Sequence, residues 1–149
     1  MKIKRSHILL LFAFAGVILG GKWLISNVSM QNKKIEYKTI NISDEAAAFE
    51  YLESCGKTPV SDKPYIEEIQ IPYENNYKMY GTYLSIQKEQ KLPFSEYCGQ
   101  TATRMSYVLK EDYKNNTVLV AELIIDKSGR LLGAAWYDSA RFDRIYPII

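Results

Sequence analysis

The chain has 149 residues, enough for one domain, with 47% hydrophobic residues and a formal net charge of +2. That charge is unevenly spread: Lys2, Lys4, Arg5 and Lys22 lie in the first 29 residues, and fifteen basic residues face seventeen acidic ones beyond them. The slightly acidic remainder carries no electrostatic footprint for nucleic acid and no polybasic patch for lipid headgroups.

The opening "MKIKRSHILLLFAFAGVILGGKWLISNVS" joins three early positive charges to an apolar run, the pattern of an export signal. Residues 6–26 reach the roughly 20 residues that span a bilayer. Lys22 can snorkel to the outer interface, where Trp23 also fits. Residues 1–29 therefore read as an uncleaved signal-anchor, a transmembrane helix with the N-terminus inside and the rest of the chain outside. The alternative is cleavage and secretion, for which Ala13-Phe14-Ala15 supplies a small-x-small site. No Cys follows the run, which argues against a lipoprotein anchor.

Residues 30–42 are polar and without sustained period, a stalk, and residues 43–149 form the extracytoplasmic domain. A first helix is expected over 43–55, "SDEAAAFEYLESC", capped by Ser43 or Asp44. Its buried stripe is Ala48, Leu52 and Cys55, widened by Phe49, and Gly56 stops it. "YIEEIQI", set between Pro64 and Pro72 with acids on both faces, reads as an edge strand.

The second helix is expected over 73–91. Tyr73, Tyr77, Tyr80 and Leu84 give it one broad aromatic-apolar face, and the run "QKEQK" reads as a solvated last turn. With Tyr83 beside the stripe, four tyrosines also suit a stacking platform for sugars or bases, but helical spacing favours a helix–sheet interface with hydroxyls at its rim. Leu92 and Phe94, around Pro93, return the chain to the core.

An antiparallel meander follows. "TRMSYVLKED" places Met105, Tyr107 and Leu109 on one face and Arg104 and Ser106 on the other. "TVLVAELIID" is apolar on nearly both faces and should be central. "DKSG" is a hairpin loop with Gly129 at positive φ. "RLLGAAWYDS" returns, with small residues at 133–135 where something packs closely. "ARFDRIYPII" closes as a short helix or an ordered tail. The fold class is α+β: a two-layer domain with an antiparallel three- to four-stranded sheet packed against helices on one face, preceded by the N-terminal transmembrane helix.

The only histidine, His7, lies in the export segment, so the domain has no His for a nucleophilic triad or a zinc site. No phosphate-binding glycine loop or GxSxG occurs. No catalytic, metal or cofactor residue is assigned. Cys55 and Cys98 could pair outside the cell, or stay free as buried thiols. Glu67, Glu68, Asp138 and Asp143 are the acids a carboxylate hydrolase would draw on, although neighbours on a strand point apart.

The run "IQKEQKLPFSEYCGQ" followed by "RMSYVL" resembles domain-of-unknown-function family 4830, small exported bacterial domains. The likeness rests on Tyr80 and Tyr83, on Gln87-Lys88-Glu89-Gln90, on Phe94, Tyr97 and Gly99, on Tyr107 and Val108, and on Gly129 and Gly133. It covers about residues 44–146. The family pattern has a helix-ending glycine where this chain has Lys91, and Gly-Asp where it has Ala134-Ala135. The resemblance implies location and fold, and no activity.

The functional expectation is a membrane-anchored extracytoplasmic binding or interaction module, held to the membrane by its N-terminal helix and meeting an envelope protein partner. The alternatives are an accessory subunit of an envelope complex and a small carboxylate-based hydrolase. Tyr65, Arg104, Trp136 and Tyr137 are the expected partner contacts.

Overall fold

A computed structural model describes residues 35–73, 78–110 and 118–149. The expected anchor, residues 1–29, lies outside them. Among the described residues no helix is long and apolar enough to cross a membrane. The chain divides into two compact units, Met1–Ile35 and Glu36–Ile149, and every described element belongs to the second.

In chain order the elements are α1 (Glu45–Ser54), β1 (Tyr65–Gln70), α2 (Lys78–Glu89), a 3-10 turn (Phe94–Tyr97), β2 (Thr101–Val108), β3 (Leu119–Ile125), β4 (Leu131–Asp138) and β5 (Arg141–Tyr146). The strands form one antiparallel sheet whose spatial order equals their chain order. The sheet has five strands, not three to four. The extra one is β5: the closing segment, expected as a helix or tail, pairs antiparallel with β4.

Strand alternation sorts the core into two halves. Met105, Tyr107, Ala121, Leu123 and Ile125 pack with Ala48 and Leu52 of α1. Ala102, Ile124, Leu132 and Ala135 pack with Tyr83 and Leu84 of α2 and with Phe94. Consecutive residues Leu123 and Ile124 thus serve different helices, so α1 and α2 cover opposite faces. The two-layer expectation is corrected to helix, sheet, helix. The cause is β3, apolar on both faces, which leaves each face needing its own cover.

Both helices end in the same hydrogen-bond pattern. In α1, Lys57 N–H donates to Leu52 C=O and Gly56 N–H to Glu53 C=O, with Gly56 at φ 75°. In α2, Leu92 N–H donates to Gln87 C=O and Lys91 N–H to Lys88 C=O, with Lys91 at φ 60°. These are paired six-to-one and five-to-two bonds closing on a left-handed residue. At the other end of α1, the Asp44 carboxylate accepts from Ala47 N–H at 2.8 Å.

The run "QKEQK" differs from the sequence reading. Lys88 and Glu89 are exposed, but Gln87 and Gln90 are only 1% and 4% exposed. Gln90 Oε1 accepts from Ile148 N–H at 2.8 Å and Ile149 N–H at 3.1 Å, which fastens the end of the chain to the residue that follows α2. Residues 37–42, read as stalk, are also docked. Leu131 N–H donates to Ile40 C=O, Ile42 N–H to Gly129 C=O, and Asn41 bridges to Arg130. Glycine is required at 129, where φ is 84° and a Cβ would come within 2.9 Å of the Ile42 carbonyl oxygen.

Candidate functional site

The register across β1, β2 and β3 assembles a polar cluster on the α2-side face. Glu67 lies opposite Arg104, and Arg104 opposite Ile124, so Glu122 is one diagonal step from the guanidinium. Arg104 Nη2 donates to Glu67 Oε1, and Arg104 Nη1 lies 3.9 Å from Glu122 Oε2. The Tyr83 hydroxyl reaches the same place from α2. It is fully buried and faces Glu122, without reaching ordinary hydrogen-bond geometry. Arg104 Nε is a second buried donor with no partner among the described residues.

Glu122 is 7% exposed, the one acid in the described core. Burial pushes its carboxyl above the usual range, and the Arg104 guanidinium and Tyr83 only partly oppose this. Tyr83 and Tyr137 are pushed up by burial first and by Glu122 second. For Arg104, burial works against the charge, and the hydrogen bond to Glu67 and the Glu122 carboxylate outweigh it. The guanidinium is therefore held charged between two acids.

α2 packs over β4 and β5, and the β1–β2 part of this face is buried at Ala102 but exposed, among the described residues, at its far end. Tyr65 is 68% exposed there, opposite Ser106, and Val108 is exposed opposite Val120. Tyr137 is half-buried and pairs with Val120. Three of the four expected contacts, Tyr65, Arg104 and Tyr137, thus share one face. Trp136 does not, since neighbours on a strand alternate. It stacks on Tyr146 at 4.4 Å on the opposite face, and Lys57 Nζ lies 4.4 Å from its ring centre.

The acids separate by role. Glu67 and Glu68 point to opposite faces. Asp138 accepts from Ala140 N–H at 2.8 Å and shapes the β4–β5 turn. The Asp143 side chain lies outside those described. Asp126 accepts from Ser128 and Arg130 within the β3–β4 hairpin, and these bonds hold its carboxyl below the usual range against the opposing cost of burial. A shallow depression of about 390 Å³ runs along Tyr97, Gln100, Thr101 and this hairpin. The acids that converge are Glu67 and Glu122, but Arg104 occupies the space between them. Among the described residues no group of acids, Cys or His could hold a metal ion.

Sequence reasoning missed Glu122 and Tyr83. The signal was present: one glutamate interrupts the otherwise apolar "VLVAELII" of a central strand. A charge there must be paired or shifted, so its position marks a polar site.

Cys55 and Cys98 are free thiols on opposite sides of the sheet, Cys55 with the α1 core and Cys98 with the α2 core. The Cys98 thiol lies 3.7 Å from the Tyr80 hydroxyl.

No family model, curated protein or solved structure matches this chain. Fold and site together define an α+β domain: a five-stranded antiparallel meander with a helix on each face and an arginine braced between two carboxylates.

Proposed function

We propose that the chain is a membrane-anchored extracytoplasmic binding module. In this reading residues 1–29 are a single-span anchor, and the open sheet face around Tyr65, Arg104 and Tyr137 meets an envelope protein partner. The resemblance to family 4830 belongs to the same proposal.

The observation that carries it is the composition of that face. An exposed aromatic, an exposed valine and a guanidinium held in place by two acids lie together beside α2. Aromatic residues and arginine are the types enriched at protein contacts, and Arg104 is already oriented, so little side-chain freedom is lost on binding. A catalytic reading is weaker. Glu122 is nearly inaccessible, and both acids are engaged by one cation.

Site-specific photo-cross-linking of the full chain in its native cells tests the reading. A cross-linking residue at Tyr65 or Val108 should capture one and the same protein, and Arg104→Ala should weaken that capture. The same residue at Glu50, exposed on α1, should not capture it. Equal capture from all three positions, or from none, removes this face as the contact. A membrane-impermeant thiol reagent should label Lys127→Cys in intact cells, and protection of that thiol would sink the extracytoplasmic reading.

A further inference from the structure

We propose that β1 accepts a sixth strand from the partner: an extended antiparallel segment with Lys or Arg at its centre and apolar residues at the end that faces Tyr65 and Ile66. This rests on the binding-module reading above and names the edge used and the chemistry of what pairs with it.

β1 is an outer strand of the sheet, and its six residues pair with β2 in continuous register. Ile71 directs its N–H toward Gln100 C=O and accepts from Gly99 N–H, so its backbone groups face the β2 side. Alternation then turns the N–H and C=O of Ile66, Glu68 and Gln70 outward. Those groups have no backbone partner among the described residues. The opposite edge is different, because β5 shows a register shift between Tyr137 and Asp138 in its pairing with β4. An irregular edge is a poor template, whereas a flat and regular one invites pairing. Pro64 and Pro72 flank β1 without interrupting it, and so they set the length of strand that can be added.

The side chains select the occupant. Tyr65 and Ile66, both exposed, form an apolar end. The centre is Glu67 and Glu68. Arg104 holds Glu67, while Glu68 is exposed and has no ion pair among the described residues. A second copy pairing two-fold through β1 would set these central acids against one another, and like charges facing across strands are destabilising. A segment with a basic centre reverses that sign. Backbone bonds supply the pairing, and the residue opposite Glu68 supplies selectivity.

The full chain, held in detergent micelles, is titrated with a capped eight-residue peptide of alternating valine and threonine with two central lysines. The readout is amide hydrogen exchange. Slowing at Ile66, Glu68 and Gln70, with little change on β5, is the expected result. A peptide with central glutamates should protect these amides less. Glu68→Lys should weaken the lysine peptide about fivefold and favour the glutamate peptide. No protection by the lysine peptide, equal protection by both peptides, or concentration-dependent protection of β1 without peptide each overturns strand addition. The last would assign the edge to a second copy. Cross-linking from Tyr65 and Val108 that persists alongside such a failure would leave the sheet-face reading standing, so the two fail separately.

Discussion

Gln87 and Ala134 form a two-point pair: Ala134 N–H donates to Gln87 Oε1 at 2.8 Å, and Gln87 Nε2 donates to the Ala134 carbonyl at 3.1 Å. A side-chain amide thus replaces the neighbouring strand at a point of β4 that β5, paired only with Trp136, Tyr137 and Asp138, does not reach. Gln90 Nε2 adds a second donor to the same carbonyl at 2.8 Å. Gln87→Leu keeps the volume but leaves the buried Ala134 N–H without an acceptor. The expected cost is about 1–3 kcal/mol, read as a lower urea midpoint with faster exchange at Ala134. Gln90→Ala should release the Ile148 and Ile149 amides to rapid exchange. Unchanged protection there would remove Gln90 as the fastening.

Lys91 occupies the left-handed position that Gly56 fills at the end of α1. A side chain at that φ is strained, and glycine is not. Its side chain is exposed, so little packing is lost on removing it. Lys91→Gly is expected to stabilise the domain by roughly 0.5–1 kcal/mol, and Gly56→Ala to destabilise it by a similar amount. Thermal midpoints that move in opposite directions would bear this out.

The raised Glu122 carboxyl sets a pH dependence of defined sign. The folded state holds this proton more tightly than the unfolded chain, so its contribution to stability is complete below the ordinary value of 4.5 and is lost as pH rises through the folded pKa. Lowering the pH from 7 toward that value should therefore raise the urea midpoint through this group. Glu122→Gln should flatten that rise. Asp126 acts in the other direction and elsewhere: its depressed carboxyl gives stability that is lost as pH falls below the ordinary 3.8. A midpoint insensitive to Glu122→Gln across pH 4.5 to 7 would contradict the assignment.

Cys55 and Cys98 lie in different halves of the core, with the sheet between them. Unfolding in alkylating reagent without reductant should add two labels to each chain. A single mass species with none would mean that the thiols had paired.

Much of the fold was legible because it follows from local rules. Asp44, Gly56 and Gly129 punctuate as their side chains require, and alternation placed Met105 and Tyr107 opposite Arg104. The final strand was not legible, since "RFDRIY" becomes a strand by pairing with β4 and has no strong pattern of its own. Nor was the side of the sheet each helix covers, because both helices carry an apolar stripe and periodicity does not say which face receives it. The glutamines were misread for a related reason. Gln87 and Gln90 sit beside Lys88 and Glu89 in a polar run, and only the gap left by β5 gives them buried partners. Of the site, Tyr65, Arg104 and Tyr137 followed from residue type and strand position, whereas Tyr83 and Glu122 come together only once α2 packs on that face of the sheet.

The docking of residues 37–42 onto the β3–β4 hairpin also fixes where mechanical load enters the domain. A pull on the chain ahead of Glu36 meets the Lys38–Lys91 backbone bond, then the bonds of Ile40 and Ile42 to the hairpin. Only afterwards does tension reach α1. These links lie at separate points along the chain, at residues 38, 40 and 42, so a pull reaches them one after another.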